Sequence, residues 1–276
     1  MPVLHPLNPR CWSRGTRLVL LAAICAGTVA AVAVAPRLPV GPHYHEFADR
    51  RALLGIPNAF DVLSNIPFCI VGVWALAWLA SSRSLGAFVD RRERIPWLIF
   101  FAGVLLTGFG SLWYHLAPSD ARLPWDLLPM TCSFLSIVAA MAMERISVRG
   151  GLIALGPTLL LGMGSVAWWR LTGDYKFYLT VQFFSPVVLA LIIGLFPRRY
   201  SGMNYLAIAF GCYVAAKLFE MFDGPIYGAG HVVSGHSLKH VMAGVACWWI
   251  LRMLQARRVA VHGEKMAAPE PSWAEV

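Results

Sequence analysis

The sequence predicts an all-α, polytopic membrane protein whose single helical bundle crosses the bilayer eight times. Hydrophobic residues make up 58% of the 276 positions and charged residues only 13%, a balance that is unusual for a soluble domain of this length. A bilayer core of about 30 Å requires roughly 20 apolar residues per helical span. Runs of that length lie at about 17–36, 61–82, 96–116, 124–143, 150–169, 177–196, 203–223 and 236–254.

The connections between these runs are short, so the chain has no room for a separate soluble domain. We divide it into a basic cytoplasmic leader at 1–16, an extra N-terminal helix at 17–36, a seven-span region at 44–254 and a polar tail at 255–276. Run 17–36 could alternatively be a cleaved signal peptide. Its apolar part is longer than usual, however, and its small-residue motif ends directly before Pro36, so we expect a retained anchor helix.

Basic residues alternate between the two sides of the predicted bundle. Fifteen Lys and Arg residues fall on segments that share a side with the N-terminus, six fall on the opposite loops, and Lys217 and Lys239 lie within the last two spans. Positive charge marks the cytoplasmic side. Both termini are therefore expected in the cytoplasm, and the net charge of +9 reflects topology rather than a nucleic-acid site.

Cysteine usage indicates neither a disulfide framework nor a thiolate metal site. Cys11 lies in the leader, and the other five cysteines fall inside apolar runs: Cys25, Cys69, Cys132, Cys212 and Cys247.

Polar residues interrupt the apolar pattern at three span ends. Span three finishes with Ser111 and His115, span four opens with Asp126, and span eight opens with His236 and His240. With a cytoplasmic N-terminus, all three ends lie near the outer leaflet. Residues four apart share one face of a helix, so the sequence predicts that these clusters converge.

Three neutral imidazoles with a fourth position open to water are typical of a catalytic zinc site, whereas structural zinc is normally closed by four protein ligands. No fourth His or Cys lies in the clusters. Asp126 is placed to act as general base on a metal-activated water. Ser111 is placed to hydrogen-bond that water or the oxyanion that forms on a substrate carbonyl.

Other interpretations remain open for these residues. A single membrane histidine is more often a helix–helix hydrogen-bonding group than a ligand. Two histidine-bearing spans could hold haem or a quinone in a redox subunit, although haem gives Ser111 and Asp126 no role. Asp126 could simply cap a helix, and the metal site could belong to a non-catalytic receptor or scaffold.

Further charged and histidine residues lie outside the three clusters. Lys217, Glu220 and Asp223 are spaced by three, which suits an internal ion pair, and they could also line an entrance to the site. We expect the remaining histidines to be bystanders, either in outer loops where solvent satisfies them or on the cytoplasmic side: His43, His45 and His231 on the outside, His5 and His262 on the inside.

The pattern Ser111-x3-His115, Asp126, His236-x3-His240 resembles the alkaline ceramidases, which belong to a wider group of seven-span membrane hydrolases that includes adiponectin-receptor-like proteins. The similarity extends over about 44–254, with a further match in the segment NAFDVLSN at 58–65. The first helix would be an addition in front of the seven.

The resemblance implies that His115, His236 and His240 bind zinc, that Asp126 activates water and that Ser111 assists at the metal or oxyanion. The implied reaction is hydrolysis of the amide of a ceramide-like lipid to a sphingoid base and a fatty acid. The short loops and basic leader indicate a bacterial inner-membrane protein, for which another long-chain N-acyl lipid is an equally suitable substrate. The sequence does not indicate an oligomeric state.

The sequence departs from the family at an acidic calcium-binding segment before the first family span. Glu46, Asp49 and Asn58 are the only candidate ligands here. Calcium prefers several carboxylate and carbonyl oxygens, so we expect a weak calcium site at most.

Overall fold

The computed structural model describes residues 12–260, which form ten α-helices and two short 3₁₀ segments. The predicted leader up to Cys11, with His5, and the tail from position 261, with His262, lie outside the described residues. The helices are α1 Arg14–Val34, α2 Ala59–Leu63, α3 Ile66–Ala80, α4 Arg94–Leu116, α5 Leu123–Arg145, α6 Val148–Thr172, α7 Lys176–Leu195, α8 Met203–Met221, α9 Asp223–Gly228 and α10 Gly235–Ala256.

The all-α fold is confirmed, and helices occupy the positions of all eight predicted spans. Six spans are long and apolar enough to cross a membrane: α1, α2 together with α3, α4, α5, α6 and α7. The chain is therefore a multi-pass membrane protein. Helices α8 and α10 have the length but not the apolarity, because they carry Lys217, Glu220, His236, Lys239 and His240. Their crossing of the bilayer stays a prediction.

The predicted span at 61–82 is one apolar run but two helices. Helix α2 ends at Leu63 and α3 begins at Ile66. The Ser64 hydroxyl donates to the carbonyl of Asp61 at 2.9 Å, and the Asn65 amide donates to the same carbonyl at 2.8 Å. Ser and Asn side chains compete in this way with the helical hydrogen-bond ladder. The break places Ser64 inside the bundle next to α10.

Helices α3, α4, α5, α7, α8 and α10 surround the main apolar core. Trp97, Phe101 and Leu251 are fully buried in it. Helices α4 and α5 approach each other closely: a Cβ at Gly103 would lie 2.8 Å from the Pro129 carbonyl oxygen. Small residues at membrane helix interfaces permit this contact between backbones.

Helix α1 lies at the periphery and buries none of its residues. Two hydrogen bonds attach its ends to α7: Arg17 donates to the Leu195 carbonyl at 3.0 Å, and Lys176 donates to the Ala35 carbonyl at 2.7 Å. The remaining long helices pack together without it.

Charged side chains close the end of the bundle where α4 begins and α10 ends. Arg257 is 5% exposed and donates to Glu144 at 2.5 Å. Glu93 accepts from Arg199 at 2.7 Å and from the Tyr200 hydroxyl. Each buried carboxylate therefore has a cationic partner, as burial in a low-dielectric interior requires.

Replacing Gly110 with alanine should destabilise the protein. The added Cβ would lie 1.9 Å from the Trp125 carbonyl oxygen, so α4 and α5 must separate, and overpacking of this kind costs about 1–3 kcal/mol or more. We expect a melting temperature several degrees lower for purified protein in detergent. Gly156→Ala, with nothing within 4 Å of the added Cβ, should leave it equal or higher. Equal melting temperatures for both variants would contradict this packing.

Candidate metal centre

Three histidines from two helices meet at one end of the bundle. His115 lies in the last turn of α4, and His236 and His240 lie in the first two turns of α10. Their exposed fractions are 1%, 8% and 5%. The Nε2 atoms of His115 and His236 are 3.3 Å apart, and one potential ligand atom from each ring lies within 4.8 Å of the others. This buried group could bind a metal ion.

The ring of His240 is oriented by Ser64 at the break between α2 and α3. The Ser64 hydroxyl lies 2.8 Å from His240 Nδ1 and donates its own proton to the Asp61 carbonyl. The hydroxyl oxygen must then accept from an Nδ1 proton, since a serine has only one proton to donate. This leaves the Nε2 lone pair of His240 available to a metal ion, and such outer hydrogen bonds are the usual means of fixing a ligand tautomer.

Asp61 anchors the beginning of α10. Its Oδ1 accepts from Ser237 at 2.6 Å and from Ser234 at 3.2 Å, and Ser234 caps the helix by accepting from the Ser237 backbone amide. Asp61 is fully buried. One carboxylate thus fixes the helix start from which His236 and His240 project.

Asp223 holds the other side of the cluster. Its Oδ1 accepts from the backbone amide of His236 at 2.8 Å, and its Oδ2 accepts from that of Ala48 at 3.0 Å. Phe47, next to Ala48, packs on the rings of His115 and His236 with centroid distances of 4.7 and 4.3 Å. The loop before α2 therefore covers two of the histidines with an apolar ring.

Ser111 and Asp126 are buried in the wall of a cavity that also contacts His240. Asp126 lies in the first turn of α5 but does not cap it, because the N-cap residue is Arg122 and no side chain bonds there. Its Oδ1 is buried without a hydrogen-bond partner among residues 12–260. Asp126 therefore has a free acceptor, which a helix-capping role leaves unexplained.

The cavity has a volume of about 690 Å³, within the range of small-molecule sites. Beyond its polar end it is lined mainly by apolar side chains, including Phe100, Ile137 and Ile250. Tyr44 also lines it and pairs with the Tyr175 hydroxyl at 2.8 Å. Burial raises the pKa of the Tyr44 phenol, so this group is a neutral hydrogen-bonding partner.

The predicted ion pair on α8 is present, but with different members. Lys217 donates to Glu220 at 2.7 Å, as its spacing predicts. Asp223 does not join it, because it bonds the backbone amides of Ala48 and His236. Lys239 of α10 takes that place and donates to Glu220 at 2.9 Å.

Of the three outer-loop histidines, one differs from the prediction. His43 is exposed and pairs with Glu46 at 3.1 Å, and His231 is exposed. His45 is instead engaged by protein: Nδ1 lies 2.8 Å from the Tyr114 hydroxyl and Nε2 lies 3.0 Å from Asp120. The sequence predicts that solvent satisfies the His45 ring, but both of its nitrogens have protein partners.

The candidate calcium ligands have other partners in the structure. The Arg51 guanidinium, bonded to Asp49 at 2.6 Å, lowers the pKa of that carboxyl. The Asn58 amide donates to the His115 carbonyl at 2.8 Å. Glu46 is exposed and faces His43 and Arg50. Asn58 thus helps to hold the end of α4.

The sequence interpretation missed the residues that position the histidines, namely Asp61, Ser64, Ser234 and Ser237. A usable signal was present, since Asp61, Ser64 and Asn65 interrupt an otherwise apolar run. Polar groups kept inside a span mark functional sites by default.

The five described cysteines are free.

No known protein-family model matches this chain, and no curated protein matches it.

The histidine cluster should bind one metal ion per chain. In the double variant His236→Ala, His240→Ala two of three ligands are lost, so elemental analysis of purified protein should find the ion absent. His231→Ala, an exposed histidine of the outer loop, is the matched control and should retain it. Unchanged metal content in the double variant would refute this site.

Removing the Ser64 hydroxyl should weaken metal binding without abolishing it. Losing the hydrogen bond that orients a ligand typically costs about 10- to 100-fold in affinity, which competition with a chelator measures in Ser64→Ala. Ser84 is a comparable buried serine whose hydroxyl donates to the Leu79 carbonyl at 2.8 Å at the opposite end of α3. Ser84→Ala should leave the affinity as it is in the native chain, and an equal loss in both would point to general destabilisation.

Proposed function

We propose that this protein is a zinc-dependent membrane amidohydrolase that cleaves the N-acyl amide of ceramide or a ceramide-like lipid. The observation that carries the proposal is a buried three-histidine group whose member His240 lines the polar end of a mainly apolar cavity, with the free acceptor of Asp126 in the wall of the same cavity. An acyl chain fits the apolar part of the cavity, and an amide fits the polar end. The products are a fatty acid and the free amine, a sphingoid base in the case of ceramide.

Zinc is the metal that suits this donor set best. Imidazole nitrogens bind zinc at about 2.0–2.1 Å, so two of them on a tetrahedral ion lie roughly 3.3–3.4 Å apart. The Nε2 atoms of His115 and His236 are 3.3 Å apart. Within the described residues no fourth His or Cys joins the group, which leaves a coordination position open to substrate.

A haem between two spans fits less well. Bis-histidine haem ligation needs imidazoles on opposite faces of a porphyrin, whereas here three rings crowd together with centroids 4.7 to 4.9 Å apart. A single ion is the better occupant.

Zinc at this position would supply a Lewis acid for the amide carbonyl and increase the acidity of a bound water. Asp126 would hold the proton removed from the attacking water and would return it to the leaving amine nitrogen, as a general base and acid. The Ser111 hydroxyl donates a hydrogen bond to the oxygen that becomes negatively charged. The carbonyl carbon gains the oxygen of water and loses the bond to nitrogen.

The resemblance to alkaline ceramidases supports the same assignment, since the five residues of its motif are those that line this end of the bundle. The basic leader and short loops favour a bacterial inner-membrane location, and the bias of basic residues favours cytoplasmic termini. In that orientation the site lies near the outer leaflet, and the substrate enters laterally from the lipid.

Asp126→Asn should retain the metal and lose fatty-acid release by at least about 100-fold, the usual contribution of a positioned general base. Release from a fluorescent N-acyl sphingoid lipid measures the rate, and elemental analysis measures the metal. Asp90→Asn, in the loop at the opposite end of the bundle, is the control and should keep both.

Equal turnover in the Asp126→Asn variant and the native chain would refute the mechanism. Retained metal with no turnover of any N-acyl lipid by the native chain would favour a receptor or scaffold.

A further inference from the structure

Two lysines and one glutamate form a charged group in the wall of the cavity, next to the candidate metal centre. Lys217 and Glu220 come from the last turns of α8, and Lys239 precedes His240 in α10. All three side chains line the cavity together with Ser111 and Asp126. Their exposed fractions are 25%, 38% and 19% in the order of the chain. This Lys–Glu–Lys group is thus half-buried and lines the same cavity as Ser111 and Asp126.

The Lys–Glu–Lys group by itself carries a net positive charge, because two ammonium groups share one carboxylate, and the Asp126 carboxylate lies in the wall of the same cavity. Lys217 and Glu220, three residues apart on one helix, would already form a neutral pair. Lys239 adds a second ammonium to the same carboxylate, at 2.9 Å. A charged side chain inside a membrane bundle is costly and is retained mainly where it has a function.

Both ammonium groups also have donors to spare. A lysine carries three N–H donors, and Glu220 takes one from each. The Lys217 ammonium also lies over the face of the Phe183 ring, 5.3 Å from the ring centroid. Two ammonium groups that share one acceptor, with further donors lining a cavity, form an arrangement that suits an additional anion.

The rest of the cavity restricts what that anion can be attached to. The walls beyond the polar end are apolar, so a ligand that fills the space is an amphiphile with a long hydrocarbon chain. With the chain in the apolar part, groups on the amine side of the scissile amide remain at the polar end, where the lysines are.

We propose that Lys217 and Lys239 form an anion subsite and that the preferred substrate is an N-acyl lipid whose amine portion carries a negative charge. The shared chemistry is a carboxylate, sulfonate or phosphate group close to the amide. This inference rests on the proposed hydrolase function and narrows its substrate class. A purely structural role for the two lysines, tying α8 to α10, is the competing explanation.

Two substrates with the same acyl chain test the subsite: N-palmitoylglycine, which carries a carboxylate, and N-palmitoylethanolamine, which carries a hydroxyl in its place. The readout is the ratio of kcat/KM for the two lipids in the native, metal-loaded protein, so any general loss of activity cancels. Since hydrogen bonds to charged groups contribute about 10- to 100-fold in binding, we expect a ratio of that size in favour of the anionic lipid, mainly through KM. N-palmitoyl-phosphoethanolamine extends the test to phosphate.

Charge-balanced variants separate anion binding from the ion pair. Lys217→Gln with Glu220→Gln removes one ammonium of the subsite together with the shared carboxylate, leaves the positive charge of Lys239, and should keep part of the preference. Lys239→Gln leaves a neutral Lys217–Glu220 pair and should reduce the ratio at least ten-fold. A triple variant with glutamine at all three positions should reduce it equally. Lys176→Gln, a lysine outside the cavity that pairs with Asp174 at 3.3 Å, is the matched control and should retain the native ratio.

Each result has one interpretation. A ratio near one in the native protein, or the same ratio in the triple variant, overturns the anion subsite while leaving the hydrolase proposal intact. The subsite is also overturned if the lysine variants keep the native ratio of kcat/KM and change only the inhibition constant of free palmitate. The lysines would then bind the carboxylate of the fatty-acid product and not the substrate. If no lipid is hydrolysed but intrinsic fluorescence shows tighter, lysine-dependent binding of N-palmitoylglycine, the subsite stands and the hydrolase proposal fails.

Discussion

Lipid offers no hydrogen bonds to a polar side chain, so each buried donor and acceptor of this bundle needs a partner inside the protein. At the histidine end a connected set of contacts meets most of this requirement. Asp61 binds two serines at the start of α10, Ser64 binds His240, and Asp223 binds the backbone of His236. The position of the histidines follows from these bonds, because the same groups that avoid unpaired burial also fix where α10 begins.

The few polar atoms that lack a protein partner are therefore informative. Asp126 Oδ1 and His115 Nδ1 are buried without one among the described residues, and both belong to the proposed site. In a membrane protein an unpaired polar atom of this kind is costly unless a ligand or water completes it. Other described residues also have such atoms, including Asp61 Oδ2 near the histidines and guanidinium nitrogens of Arg94 and Arg257 at the opposite end, where the buried carboxylates themselves are paired with arginines.

Close packing of α4 against α5 also helps to form the site at the histidine end of the bundle. The absence of a side chain at Gly110 lets the α4 backbone contact Trp125 next to Asp126, so Ser111 and Asp126 reach one cavity from two helices. Elsewhere the helices lie further apart, and α7 and α8 leave a cavity between the core helices that can hold an apolar chain. A cavity with one polar end and otherwise apolar walls suits an amphiphile better than a water-soluble metabolite.

The sequence by itself determined the long helices, their approximate ends and the end of the bundle at which the polar clusters lie, but not the break between α2 and α3. These follow from local rules: apolar run length sets a span, and a spacing of four places two residues on one helix face, as for His236 and His240. Contacts between helices were decided only by the tertiary structure. Ser64 meets His240, and Lys239 rather than Asp223 pairs with Glu220, because such partners depend on which helices are neighbours and how each is rotated. Spacing along a single chain segment carries no information about either.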